Sequence, residues 1–105
     1  MVDILMATYN GEAFVEEQVR SIMAQSFTNW RLLIHDDGST DQTIAIIQQL
    51  QQEDSRIVLI NDNVCNLGVA RNFLHLVTYA TARYCMFCDQ ADIWLPNKVE
   101  TMIRG

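Results

Sequence analysis

Proline is nearly missing from this 105-residue chain, with Pro96 the single instance, and glycine occurs only four times. A proline- or glycine-rich linker is therefore excluded, and one domain is expected over residues 1–105. Cysteine is scarce as well. Three residues at 65, 85 and 88 are too few and too unevenly spaced for a disulfide framework. With no signal peptide ahead of the first apolar run, this predicts a reducing, cytoplasmic setting. Basic residues are outnumbered 7 to 13, for a net charge of −6. A nucleic-acid binder would carry a basic stripe instead, so that class is set aside. No apolar run approaches the ~20 residues of a membrane-spanning helix. The Gly-x-Gly-x-x-Gly fingerprint and the Walker lysine are both absent after the first apolar run, which counts against dinucleotide and P-loop sites.

What is present is regular alternation. Val2–Ala7, Trp30–His35, Ile57–Ile60 and Tyr84–Cys88 are short apolar runs with the length of buried strands. Between them lie stretches with helical spacing. Val15, Val19, Ile22 and Met23 mark the first, and Ile44, Ile47 and Leu50 the second. Ala70, Phe73, Leu74 and Val77 give the inward face expected of the third, and Val99, Met102 and Ile103 that of a last helix whose first turn suits Pro96. Ser39 with Gln42 three residues on has the form of a capping box. Four strand–helix repeats predict an α/β fold: a half-Rossmann parallel sheet in the order 3-2-1-4 with helices on both faces. Loops after the first, second and fourth strands would then converge at the carboxyl edge, beside the topological switch point.

Those loops are the polar ones. Thr8-Tyr9-Asn10-Gly11 offers backbone groups and a ring for stacking, Asp36-Asp37-Gly38-Ser39 a carboxylate for N–H or ribose O–H donors, and Asp89 with Asp92 oxygen ligands for a hard divalent cation. Together they make a nucleotide-binding constellation. Each also has a plainer reading: a turn with a helix cap at Asp37–Ser39, a turn at Asn10–Gly11, solvated carboxylates at Asp89 and Asp92. Cys85 and Cys88 form a C-x-x-C inside a strand, where small core residues are expected rather than a redox or zinc pair. His35 is expected to be packed or solvated more often than to touch a ligand, and His75 to lie on a helix surface. No nucleophilic triad is discernible.

These residues resemble a known family. Ile4 to Asn10, Ser21 to Phe27, Asp36 to Asp41 and Asn66 to Asn72 are similar, in order and spacing, to four motifs of the inverting glycosyltransferases of family 2, of the GT-A fold. The likeness is greatest to bacterial enzymes of surface-polysaccharide assembly and covers nearly the whole chain. The resemblance implies that Thr8, Tyr9, Asn10, Asp37, Arg71 and Asp89 bind the nucleotide. It also implies that Asp89, opening the family's D-x-D motif, and Asp92 hold Mg²⁺ or Mn²⁺ on the diphosphate. The implied partners are a nucleoside diphosphate sugar and a saccharide or lipid-linked acceptor, with peripheral membrane association of the full protein at the inner face.

The chain departs from the family in two respects. The third D-x-D position is Ala91, in the stretch Asp89-Gln90-Ala91-Asp92, where the family carries a metal-ligating aspartate. Loss of an anionic ligand weakens a divalent site by several kcal/mol unless Asp92 replaces it. The family's catalytic base, carried by an acceptor-binding half, also has no counterpart here. A non-catalytic nucleotide-sugar-binding or assembly domain with a degenerate D-x-D motif is the alternative reading. A nucleotidyltransferase is a third, but its loop after the first strand would be basic and glycine-rich, and this one has no lysine or arginine.

Overall fold

The computed structural model describes residues 1–89 and 92–104. Position 91, on which the metal question turned, lies outside the described residues. Eight elements alternate: β1 (Val2–Thr8), α1 (Val15–Met23), β2 (Trp30–Asp36), α2 (Thr43–Glu53), β3 (Ile57–Leu59), α3 (Val69–Val77), β4 (Tyr84–Cys88) and α4 (Lys98–Arg104). The strands form one sheet in the order β3-β2-β1-β4, and every pairing is parallel. The order, the strand directions and the four-fold alternation are those expected from the apolar runs.

Side chains along β1 alternate between two unequal cores. Val2, Ile4 and Met6 join Val15, Val19, Ile22, Ile47, Leu50 and Val99 on the face covered by α1, α2 and α4. Leu5 and Ala7 point the other way, where Leu33 from β2 and Leu76 from α3 meet them. Ile4, Leu5, Met6, Leu32 and Ile34 are wholly or almost wholly buried, each stabilising the fold by about 1.5–3 kcal/mol. At the amino end of the sheet the buried Asp3 faces Arg31 across the strand pair. Its carboxylate accepts from the guanidinium at 3.0 and 3.1 Å and from the N–H groups of Thr81 and Ala82 at 2.8 and 2.9 Å.

Three expectations need correction. The run Tyr84–Cys88 is not fully buried: β4 is a sheet edge, and its α3-side residue Phe87 is 54% exposed because only α3 covers that face. Cys85, paired with Asp3 on that face, is exposed, whereas Cys88, paired with Met6, is buried. Residues three apart in a strand point to opposite sides, so Cys85 and Cys88 do not form a pair. The inward face of α3 is Asn72 and Leu76, with Phe73 partly buried, while Leu74 is 68% exposed. Finally, α2 begins at Thr43 without the expected capping box. Asp41 Oδ1 accepts from the Thr43 N–H and hydroxyl instead, and the Ser39 hydroxyl is drawn to Asp36.

Candidate functional site

At the carboxyl end of the sheet, Asp36 ties two loops together. Its Oδ1 accepts from the hydroxyls of Thr8 (2.8 Å) and Ser39 (2.6 Å), and its Oδ2 from the N–H groups of Gly38 (3.1 Å) and Ser39 (2.7 Å). Asn10, in the left-handed region at φ 49°, reinforces the link: its N–H reaches Ser39 Oγ and its side-chain carbonyl accepts from Thr40 N–H. Gly11 N–H donates to Thr43 Oγ1 at the start of α2. Asp41 completes this set. The Thr43 hydroxyl, then the N–H groups of Thr43 and Glu12, outweigh desolvation and hold its carboxyl below the usual range.

Asp37 faces away from this knot and is almost buried, at 7% exposure. Its two oxygens accept from Leu67 N–H at 2.7 Å and Gly68 N–H at 2.9 Å. The carboxylate thus pulls the loop before α3 against the end of β2. Gly68 has φ 81° and ψ 166°, a conformation essentially reserved for glycine. A Cβ there would meet nothing within 4 Å, so the backbone conformation rather than crowding calls for glycine. Each Asp37 oxygen keeps a lone pair for a further donor.

Between these loops opens a cleft of about 150 Å³, lined by Thr8, Tyr9, Asp37, Gly68, Phe73 and Asp89 among others. Four of the residues expected to bind a nucleotide, from β1, β2 and β4, therefore meet at one place. Tyr9 is half exposed at its edge. The cleft is smaller than the ~300 Å³ typical of a whole-ligand site, and matches a base or ribose rather than an entire nucleotide sugar. Asn10 and Arg71 are exposed and do not line it. Gly68, within the Asn66 to Asn72 motif, and Phe73, expected only as an inward residue of the third helix, also line it.

The two aspartates after β4 are placed differently. Asp89 is exposed at the cleft, and its backbone carbonyl accepts from the buried Gln18 side chain of α1. Asp92 donates its N–H to the Asp89 carbonyl, but its carboxylate is turned toward α4, accepting from Trp94 Nε1 at 3.1 Å with Lys98 Nζ 3.7 Å away. One exposed carboxylate is compatible with Mg²⁺ or Mn²⁺, since such ions retain waters and take substrate phosphate oxygens for the remaining positions. Asp89 is the described residue placed to hold one. Asp92 engages Trp94 and Lys98 through its Oδ2 alone.

Cys88, beneath this loop, is buried within reach of the Gln18 amide, and burial pushes its thiol up to about 12. A thiol in that state is inert, so Cys88 supplies no nucleophile.

Comparison with known proteins identifies this architecture. A UDP-glucose-dependent β-1,3-glucosyltransferase of Escherichia coli, WfgD, whose named acceptor is α-D-GlcNAc-diphosphoundecaprenol, is 38% identical over 104 residues; the match covers 98% of this chain and 40% of that protein. The Staphylococcus aureus protein TarS, solved with UDP-GlcNAc, superposes with a TM-score of 0.87 at 20% identity over 98% of this chain and 30% of its own. A mannosyltransferase of Pyrobaculum calidifontis, solved with GDP-mannose and Mn²⁺, gives 0.79 at 21% identity over 89% of this chain and 28% of its own. The chain thus spans 32–41% of the length of the curated relatives it matches. The sheet order, the polar loops at its carboxyl edge and a family model matching residues 3–105 agree: the chain belongs to glycosyl transferase family 2.

Proposed function

We propose that the chain is the donor-binding domain of a glycosyltransferase that moves a sugar from a nucleoside diphosphate to a saccharide or lipid-linked acceptor with inversion. The observation that carries this reading is the convergence of Thr8, Tyr9, Asp37 and Asp89 on one cleft at the sheet's carboxyl edge. Tyr9 presents an aromatic face for the base, and Asp37 accepts from base N–H or ribose O–H groups on the lone pairs left by Leu67 and Gly68. Asp89 stands where the diphosphate leaves the cleft, and a divalent cation held there with phosphate oxygens would supply Lewis-acid stabilisation of the departing diphosphate. The acceptor hydroxyl would attack the anomeric carbon directly, helped by a base outside the cleft lining. Arg71 and Asn10 act at most at its periphery. The working place of such an enzyme is the cytoplasm, at the inner face of the membrane when the acceptor is lipid-linked.

Calorimetric titration with UDP, dTDP and GDP, with and without Mn²⁺, tests the reading. Binding of one of them, strengthened by the metal, is expected, with a larger metal effect in Ala91→Asp. Metal-indifferent binding in the native chain that becomes metal-dependent in Ala91→Asp would instead favour a nucleotide-sugar-binding domain with a broken metal position. Failure of all three nucleotides to bind, with or without metal, would refute the donor site.

A further inference from the structure

A second constellation lies behind the cleft. His35 at the end of β2, Asp62 in the loop after β3 and His75 in α3 bring two imidazoles and a carboxylate together, one ligand atom of each lying within 4.8 Å of the others. His35 Nε2 is 3.1 Å from Asp62 Oδ1, and His75 Nε2 is 2.6 Å from Asp62 Oδ2. The three residues are separated by 27 and 13 positions, and no motif joins them. The expected surface position of His75 is therefore corrected: it is half-buried against Asp62, His35 and Tyr79.

The proton positions around His35 follow from Asn72. The Asn72 amide nitrogen donates to the His35 backbone carbonyl at 3.1 Å, so its oxygen is the atom 2.6 Å from His35 Nδ1. A carbonyl oxygen can only accept, hence Nδ1 carries a proton. In the neutral ring, Nε2 then directs a lone pair at a carboxylate oxygen, an arrangement stable only with a cation between them. A second proton is one such cation, and a metal ion is another.

We propose that His35, Asp62 and His75 form a structural site for a borderline transition-metal ion of the Zn²⁺ type, distinct from the cation site at Asp89. Two nitrogen donors and one carboxylate select Zn²⁺ or Co²⁺ over Mg²⁺ or Ca²⁺, which want oxygen. Tetrahedral bonds of about 2.0–2.1 Å put ligand atoms roughly 3.3 Å apart, so His35 Nε2 already stands near that separation from Asp62 Oδ1, whereas His75 Nε2 has to withdraw from Oδ2 by about 0.7 Å. The supporting contacts are those that metal ligands usually have. His35 Nδ1–H is fixed by Asn72, while Asp62 is oriented by Val64 N–H at 3.1 Å and Tyr79 O–H at 2.6 Å. A cavity of about 510 Å³ lined by His35 and Asp62 gives the ion an approach. The ion would clamp β2, the β3 loop and α3, and through Asn72 fix one wall of the nucleotide cleft.

These two histidines are the only ones in the chain, which makes the site readable without ambiguity. The chelator-treated chain is titrated with Co²⁺ and Zn²⁺, following Co²⁺ visible bands and the imidazole resonances by NMR. One equivalent is expected to shift both imidazoles and to give four- or five-coordinate Co²⁺ bands without thiolate charge transfer. His75→Gln should weaken binding at least about 100-fold, and the milder Tyr79→Phe, which only frees Asp62, about 10-fold. Asp89→Ala should leave it unchanged. Imidazoles that respond to pH but not to saturating Zn²⁺ would show that a proton alone fills the site and overturn the proposal. Binding unweakened in both the His75 and Tyr79 variants, or thiolate bands, would overturn it too.

Discussion

Replacing Asp37 by asparagine separates two roles that a carboxylate in a binding cleft can have. If Asp37 only awaited a ligand, the free protein would not notice the change. The structure instead has it accepting from two backbone N–H groups, at 2.7 and 2.9 Å, in a position 7% exposed. Hydrogen bonds to an ionised group stabilise by about 1.5–3 kcal/mol each. Asparagine retains one carbonyl acceptor, but its NH₂ must then face the other N–H, so one bond is lost outright and the survivor loses its charge. The expected destabilisation is about 2–3 kcal/mol. With a urea m-value in the usual range of ~1–3 kcal/mol/M, the unfolding midpoint falls by roughly 0.7–3 M. The measurement is urea denaturation of the ligand-free chain, native against Asp37→Asn, at neutral pH. A midpoint within about 0.2 M of the native value would refute the assignment of Asp37 as a loop anchor, whatever the effect on nucleotide binding.

Two other outcomes follow from buried groups. Arg31→Met leaves the Asp3 carboxylate buried without its ion partner, which should cost about 3–5 kcal/mol near neutral pH. Burial alone would raise the Asp3 pKa, but Arg31, Ala82 and Thr81 together bring it below 3.8. Its contribution is thus complete above that value and disappears as pH falls below it. The native–variant gap in a series of denaturation curves should close in the acid range, and a gap constant from pH 7 to 2 would contradict this. The thiols make the other case. A thiol reagent at pH 8 should modify Cys65 and then Cys85, whose pKa burial raises, while sparing Cys88 until the chain unfolds. Mass spectrometry of the native protein showing prompt modification of Cys88 would contradict its burial.

Much of the architecture could be read from the chain because the middles of β1 and β2, Ile4 to Ala7 and Leu32 to Ile34, are continuously apolar, a pattern produced by strands covered on both faces. The same reasoning overreached at Tyr84–Cys88, where apolar side chains line a sheet edge with only α3 above one face. It also misjudged α3. Apolar spacing placed Leu74 inside and gave Asn72 no part in that face, whereas Asn72 is buried by two hydrogen bonds to His35 that no hydrophobic pattern records. Of the candidate cleft, the lining residues Thr8, Tyr9, Asp37 and Asp89 were legible because contiguous motifs carry them. Its internal wiring was not, since Asp36 joins residues 28 positions apart and Asp37 reaches 30 and 31 positions ahead. Asp92 shows contacts that no motif records: Trp94 and Lys98 both approach its Oδ2.

The knot around Asp36 has a consequence for the thermodynamics of occupancy. Four donors on one carboxylate, together with the Asn10 contacts to Ser39 and Thr40, immobilise the β1 and β2 loops before anything enters the cleft. Ordering a mobile side chain on association costs about 0.5–1.5 kcal/mol, and at these positions that entropy is already lost on folding. A ligand's contacts with Thr8 and Asp37 then translate into affinity with little deduction. Loosening the knot, as in Asp36→Ala, should therefore weaken binding through entropy even though Asp36 keeps no free oxygen for the ligand.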